Sequence, residues 1–189
     1  RIEETKDRII LICKKTKYSH YLYDERIGIE DSRHWCSCLW GGILLKTKDG
    51  YCVIGESSEN TSLPFCMQIS GGGSESADRI NGKINIHNTI KRELEEELNL
   101  KLEDTSEILN YEMKYLEIPK GRRHAYGIIA VGNLNMTKKQ MKHYYQNYME
   151  ELKKNGEEIE FRDLKFIKIS NAIEGINKLS SKSMLIAPK

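Results

Sequence analysis

The sequence lacks the features that mark several classes of protein. Its 30 basic and 28 acidic residues leave a formal charge of +2, which is too even to indicate a surface for extended nucleic acid. No apolar run approaches the length of a membrane span, and residues 1–8 form no apolar signal segment. Cys36 and Cys38 lie beside His34, but no second Cys or His pair follows at ligand spacing, so a structural zinc site is not expected. Five cysteines without an export signal favour reduced thiols and a cytoplasmic protein.

The order of apolar and polar segments predicts a mixed α/β layout. Two β-like runs flank Asp49-Gly50, and Asp-Gly between such runs is a strong hairpin signal. A helix is expected from Asn85 or Asn88 to about Leu98, since Asn is a favoured N-cap and apolar residues recur at every fourth position. Further strands are predicted at 111–118, 124–134 and 161–169, and further helices at 137–154 and 171–179.

The length of 189 residues is most simply that of one domain with additions. We expect residues 1–35 to form an N-terminal extension packed on the domain, and 36–189 to form the domain itself. The helix at 137–154 is expected to be an insertion.

Residues 92–97 read Arg-Glu-Leu-Glu-Glu-Glu and are the most informative segment of the chain. On a helix, Glu93, Glu96 and Glu97 follow i, i+3 and i+4 spacing, so their carboxylates lie on one side. Like charges at this spacing repel each other, which favours a counter-charge such as Arg92 or a divalent cation. A solvated helix face is the other interpretation, since glutamate is a strong helix former. The residues alone leave both interpretations open.

The segment from Arg92 to Leu100 resembles the second half of the Nudix box, the signature of the Nudix hydrolases. That half reads Arg-Glu-aliphatic, any residue, Glu-Glu, any residue, Gly, aliphatic. Asn99 stands at the Gly position. Asn is the next-best residue for the left-handed conformation that a helix C-cap requires, so the substitution is mild.

The first half of the box departs further from the family pattern. Counting back from Arg92 by the usual spacing places Ile84 at the Glu position and Asp78 at the Gly position. The Gly71-Gly72 pair resembles the turn that precedes the box only if extra residues are inserted within 74–86.

The resemblance implies an α/β fold, a three-layer α/β/α sandwich with a mixed sheet. It also implies hydrolysis of a pyrophosphate bond in a nucleoside diphosphate linked to another group, with Mg²⁺, or alternatively Mn²⁺, as the cofactor. By resemblance, the metal ligands are Glu93, Glu96 and Glu97, joined by a backbone carbonyl of Gly71 or Gly72. Arg92 is expected to be structural and to hold these carboxylates from behind.

The general base and the substrate contacts are less specified. Some relatives use a box glutamate as the base, here Glu96 or Glu97, and others use a downstream acidic loop. Glu157, Glu158 and Glu160 form such a loop, although a solvated loop is an equal interpretation. The substrate-binding candidates are two arginines for phosphate and a tyrosine for the nucleobase, namely Arg122, Arg123 and Tyr126.

Two classes of function remain open, an enzyme and a Nudix-like module that binds a nucleotide without cleaving it. The intact glutamates favour the enzyme, whereas Ile84, Asp78 and Asn99 favour the module. The helix at 137–154 carries an apolar stripe with three tyrosines, Tyr144, Tyr145 and Tyr148. This stripe is expected to pack on the sheet, to form a lid over substrate or to form a homodimer contact.

Overall fold

The computed structural model describes residues 2–4, 9–28, 35–118 and 125–171, and one mixed β-sheet forms the centre of the fold. The strands are β1 (Ile2–Glu4), β2 (Ile9–Leu11), β3 (Cys38–Lys46), β4 (Tyr51–Ser57), β5 (Met67–Gln68), β6 (Ser70–Gly73), β7 (Arg79–Ile80), β8 (Lys83–Ile84), β9 (Ile108–Glu117), β10 (Ala125–Leu134) and β11 (Phe161–Lys168). The helices are α1 (Tyr18–Ile27), α2 (Ile86–Leu98) and α3 (Lys138–Asn155), with 3-10 turns at Ser76–Asp78 and Ile169–Asn171.

Seven of the described strands form the central sheet. Its order is β11-β4-β3-β10-β9, with β5 paired to β4 and β6 paired to β3. Strand β10 runs parallel to β3, whereas its other neighbour β9 is antiparallel. This arrangement confirms the α/β fold with a mixed sheet that the sequence and the resemblance predicted.

Helix α2 packs its apolar stripe against β3 and β6. Ile90 and Leu94 of this stripe are fully buried. At Gly41 on β3, a Cβ would lie 3.1 Å from the Ile86 side chain, so glycine permits the close approach of helix and sheet. The helix begins where the Asn85 side chain accepts a hydrogen bond from the His87 amide at 3.2 Å, as predicted for an Asn N-cap. The sheet therefore fixes one face of the glutamate-bearing helix.

Helix α3 packs on β11 and on the domain core. A capping box between Thr137 and Gln140 starts it, and Gly156 in the left-handed conformation (φ 72°) ends it. Met141 and Tyr145 are buried in the core, which confirms that the helix packs on the domain. The homodimer stays a prediction.

Several predicted features lie partly or wholly outside the described residues. The closing helix at 171–179 is outside them except for Asn171, which ends a 3-10 turn. Strand β1 pairs with β2, the sequence did not predict α1, and the division of the chain at residue 35 stays a prediction. The Cys36 amide donates a hydrogen bond of 2.7 Å to the buried Asp24 carboxylate. Within the described residues, no helix has the length and apolar character to cross a membrane.

Candidate active site

The three glutamates of α2 border one cavity of about 430 Å³, but they differ in exposure. Glu93 is 7% exposed and Glu97 3% exposed, whereas the Glu96 side chain is 52% exposed. Glu93 and Glu97 are four positions apart, so both side chains lie on the side of the helix that faces the sheet. Glu96 lies on the adjacent, solvent-exposed side. All three glutamates thus border one cavity, two of them buried and one exposed, and their role as metal ligands stays a prediction.

Strand β6 forms the floor beneath the two buried carboxylates. The Gly71 amide donates a hydrogen bond of 2.9 Å to Oε2 of Glu97. Gly71 has a φ of 153°, and a Cβ there would lie 2.5 Å from the Gly41 carbonyl oxygen. A Cβ at Gly72 would lie 2.4 Å from Oε1 of Glu93. Gly71 requires glycine because a Cβ there would meet the backbone of β3, whereas a Cβ at Gly72 would meet the end of the Glu93 side chain.

Burial changes the acidity of both carboxyl groups. Burial raises the pKa of Glu97 to about 9, and the charges of Glu93 and Glu160 add to the effect. Burial also raises the pKa of Glu93 to about 7, although the positive charge of Arg92 opposes that rise. Two neighbouring carboxyl groups are thus held in a setting that disfavours their charged forms.

Arg92 connects the glutamates of α2 to strand β6 and to Asp78. Its Nη1 lies 2.6 Å from Oε1 of Glu93 and 3.2 Å from Oε2 of Glu96. Its Nη2 donates to the Gly73 carbonyl at 2.9 Å and lies 3.4 Å from the Asp78 carboxylate. The guanidinium therefore connects α2 with strand β6, a placement that suits the structural role expected for Arg92 from the resemblance.

Asp78 is the acidic anchor of Arg92, a contact that the sequence analysis missed. It is 3% exposed, and its carboxylate accepts hydrogen bonds from the Glu75 amide (2.8 Å) and the Thr89 hydroxyl (2.9 Å). Burial raises the pKa of Asp78, but these hydrogen bonds and Arg92 outweigh burial and hold it below its ordinary value. Asp78 therefore carries its charge at neutral pH.

The extra residues of the box form the hairpin β7–β8. Its turn is Asn81-Gly82, with φ of 50° and 78°, as a type I′ turn requires. With these six hairpin residues set aside, Asp78 follows Gly72 at the Gly-to-Glu spacing of the box and precedes Arg92 at the usual distance. This spacing favours the alternative with extra residues within 74–86 over the uninterrupted count that placed Ile84 at the Glu position and Asp78 at the Gly position. The equal spacing from Gly72 to an acidic residue was the signal available in the sequence.

The segment before β11 and the loop after β4 complete the cavity. Glu158 and Glu160 border it, together with Ser57 and residues 60–63. Glu160 is an exposed residue, but partial burial of its carboxyl group and the charge of Glu96 raise its pKa. Glu157 is exposed, accepts a hydrogen bond from the Asn155 side chain at 3.1 Å and is not among the residues that border the cavity. The structure thus brings Glu158 and Glu160, but not Glu157, to the α2 carboxylates.

Of the remaining predicted residues, those that the structure describes do not border the cavity. Arg122 and Arg123 are outside the described residues. Tyr126 lies on β10 opposite Leu39 of β3 and does not border the cavity. Asn99 ends α2 with φ 54° and ψ 29°, the left-handed conformation that its position in the motif predicted.

Comparison with solved structures supports the mixed α/β fold. No protein-family model matches the chain, and curated proteins gave no match. DR0079 from Deinococcus radiodurans is similar in structure, with a TM-score of 0.50 and 12% identity over 75% of this chain and 73% of that chain.

Two further solved structures align less well. The NUDIX domain of NrtR from Shewanella oneidensis, complexed with ADP ribose, aligns with a TM-score of 0.47 and 11% identity over 85% of this chain and 97% of that chain. A bifunctional NMN adenylyltransferase/ADP ribose pyrophosphatase from Francisella tularensis, complexed with AMP and a manganese ion, aligns with a TM-score of 0.47 and 12% identity over 89% and 45%. Identities this low concern the fold alone. The structure has the mixed α/β fold that the resemblance implied, and the Arg92–Leu100 motif on α2 is the part through which the chain resembles the Nudix hydrolases.

Proposed function

We propose that the chain hydrolyses a pyrophosphate bond in a nucleoside diphosphate linked to another group, with Mg²⁺ or Mn²⁺ as the cofactor. One observation carries the proposal: Glu93 and Glu97 are buried together at a cavity, and the pKa of each carboxyl is raised, to about 7 and about 9. Buried carboxylates need a proton or a cation to offset their lost hydration. The resemblance of this same motif to the Nudix box favours the cation.

The chemistry of the available donors fits a hard divalent cation. Glu93, Glu96 and Glu97 offer carboxylate oxygens at the cavity, and Mg²⁺ prefers such ligands. The Ser57 hydroxyl is buried at the same cavity and has no hydrogen-bond partner among the described residues. However, no three His, Cys, Asp or Glu side chains in the described part of the chain converge into a metal-binding group, and Arg92 lies against Glu93. We therefore expect cation binding to draw the Glu93 carboxylate away from Arg92.

Each residue then has a defined task in hydrolysis. A bound divalent cation would neutralise phosphate charge and lower the pKa of a water molecule. The Gly71 amide fixes the orientation of the Glu97 carboxylate through its hydrogen bond. Glu158 and Glu160 border the same cavity and are the candidates to accept a proton from the attacking water. The raised pKa of Glu160 suits this role, because a general base works best when its pKa approaches the working pH.

The alternative function is a module that binds a nucleotide without cleaving it. The ion pairs of Arg92 with Glu93 and Glu96 favour this alternative, because they already neutralise two of the proposed metal ligands. The two functions differ in turnover rather than in binding. Cleavage can therefore distinguish them where affinity cannot.

A panel of nucleotides tests the proposal. Wild-type protein is incubated with NADH, ADP-ribose, dinucleoside polyphosphates, oxidised nucleotides and capped RNA, with and without Mg²⁺, and the products are separated by ion-exchange chromatography. Cleavage of at least one compound that requires the cation is the expected result. Measurable binding with no cleavage of any compound would support the binding module instead.

A further inference from the structure

Two tyrosine hydroxyls of α3 hold the two walls of the acidic cavity. The Tyr148 hydroxyl donates to the Glu96 carbonyl of α2 at 2.8 Å. The Tyr145 hydroxyl donates to the carbonyl of Phe161, the first residue of β11. The two rings are neighbours on one helix, with centroids 6.2 Å apart. One rigid element therefore contacts both walls.

Each hydroxyl binds the backbone carbonyl of a residue that is the chain neighbour of a glutamate at the cavity. Glu96 directly precedes Glu97, and Phe161 directly follows Glu160. The Glu96 carbonyl lies in the last turn of α2, where carbonyl groups lack partners within the helix. Tyr148 supplies that partner, so it fixes the backbone from which the most buried carboxylate extends.

Helix α3 is itself firmly anchored. Its first turn is capped by Thr137, its end by Gly156, and Met141 is fully buried. Tyr145 is 2% exposed, so its ring has no freedom to follow a moving strand. Because both carbonyls are tied to one fixed helix, the separation between Glu97 and Glu160 depends on α3.

We propose that Tyr145 and Tyr148 are positioning residues that set the distance between the α2 carboxylates and the Glu158–Glu160 segment. This inference rests on the proposed function for its catalytic consequence. It also explains the tyrosine stripe without a partner subunit, since these hydroxyls are used within the domain.

Tyrosine-to-phenylalanine variants test the inference, because they keep the rings and remove only the hydroxyls. For Tyr148→Phe and Tyr145→Phe we expect kcat to fall about tenfold to a hundredfold with little change in KM, as misplaced reacting groups lower turnover. Tyr144→Phe is the matched control. Its hydroxyl donates to the Asn99 carbonyl at 2.5 Å, beyond the cavity wall, and we expect its kcat to stay within about twofold of the wild type.

Two readouts do not require turnover. Hydrogen exchange measured by mass spectrometry should rise in residues 94–100 for Tyr148→Phe and in 157–163 for Tyr145→Phe, with the rest of the chain unchanged. Calorimetric titration should show Mn²⁺ affinity lowered about tenfold in Tyr148→Phe, the lower end of the loss seen when a residue that orients metal ligands is changed, and unchanged in Tyr144→Phe.

The outcomes separate this inference from the proposed function. If the wild type cleaves nothing but the local exchange and Mn²⁺ effects appear, the hydrolase proposal fails and the positioning role stands. A uniform rise in exchange with a matching fall in melting temperature would overturn the positioning role and leave a purely structural one. The positioning role would also be overturned if hydrogen exchange and Mn²⁺ affinity in both Tyr145→Phe and Tyr148→Phe equalled those of the wild type.

Discussion

The substitution Gly72→Ala adds one methyl group directly against a buried carboxylate. Its Cβ would lie 2.4 Å from Oε1 and 2.5 Å from Oε2 of Glu93, closer than Cβ atoms approach in folded proteins. Glu93 is 7% exposed, and its Oε1 lies 2.6 Å from Nη1 of Arg92. Any retreat of the carboxylate therefore disturbs that ion pair and the proposed cation site together.

The size of the effect follows from which atoms meet. The clash involves the end of a side chain, so the protein accommodates alanine by moving Glu93 and leaves the pairing of β6 with β3 in place. We expect the free energy of unfolding to fall by about 1–3 kcal/mol, as in other overpacked sites. Hydrolysis should fall by about a hundredfold, since a shift of about 1 Å in a reacting group can cost that much.

The neighbouring glycine provides the control. A Cβ at Gly73 would meet no atom within 4 Å, so Gly73→Ala changes the same strand without the clash. Urea unfolding measures stability, and calorimetric titration with Mn²⁺ measures the site. Wild-type Mn²⁺ affinity and wild-type stability in Gly72→Ala would refute the close packing of β6 against Glu93.

Two further predictions concern the end of α2 and an ion-pair cluster on β4. In urea unfolding, Asn99→Gly should change the free energy of unfolding by less than about 1 kcal/mol. Asn99→Val should lower it by about 1–2 kcal/mol, because a β-branched residue resists the left-handed conformation. Equal stabilities of the two variants would contradict this prediction. Burial raises the pKa of Glu56, but Arg162 (2.6 Å) and Lys165 (3.0 Å) outweigh burial and lower it. Its contribution is therefore present above the unfolded pKa of about 4.5 and lost as pH falls. Glu56→Gln should lower the free energy of unfolding by about 1–2 kcal/mol at pH 7, a figure kept low because Arg162 is half exposed and solvent screens its charge. The difference between the variant and the wild type should shrink below about pH 4.5. A difference that stays constant with pH would exclude the ion pair as its source.

Local signals in the sequence explain why the main elements were predicted. The Asp49-Gly50 turn, the Asn85 cap of α2 and the end of α3 before Gly156 each depend on residues within a few positions of one another. Asn99 belongs to the same group, because its conformation is a property of the helix end. These elements form where the sequence placed them, to within a few residues.

Contacts between distant parts of the chain explain what the sequence analysis missed. The spacing on α2 predicted no difference in burial among the three glutamates, whereas packing against strand β6 buries Glu93 and Glu97 and leaves Glu96 exposed. The Tyr148 hydroxyl meets a carbonyl 52 positions away, and Arg162 meets Glu56 across 106 positions. No local pattern specifies such pairs, because the fold must first bring the segments together.

The hairpin β7–β8 lies within 74–86, where the resemblance required extra residues. Asn81-Gly82 is a hairpin signal in its own right, and the Gly72-to-Asp78 spacing points to the same place. The contact of the Arg92 guanidinium with Asp78 adds that the acidic partner of Arg92 lies before the hairpin.

The rate of pyrophosphate cleavage by Glu97→Gln, measured beside the wild type on the best substrate of the panel with Mg²⁺, tests the central claim most directly. Glutamine keeps the shape of the side chain but cannot carry the charge that Glu97 would carry with the cation bound, and melting temperatures verify that both proteins are folded. We predict that the rate falls by about two to three orders of magnitude, the loss commonly seen when one electrostatic contact to the transition state is removed. An unchanged rate in folded Glu97→Gln would contradict the account and place the chemistry at another site.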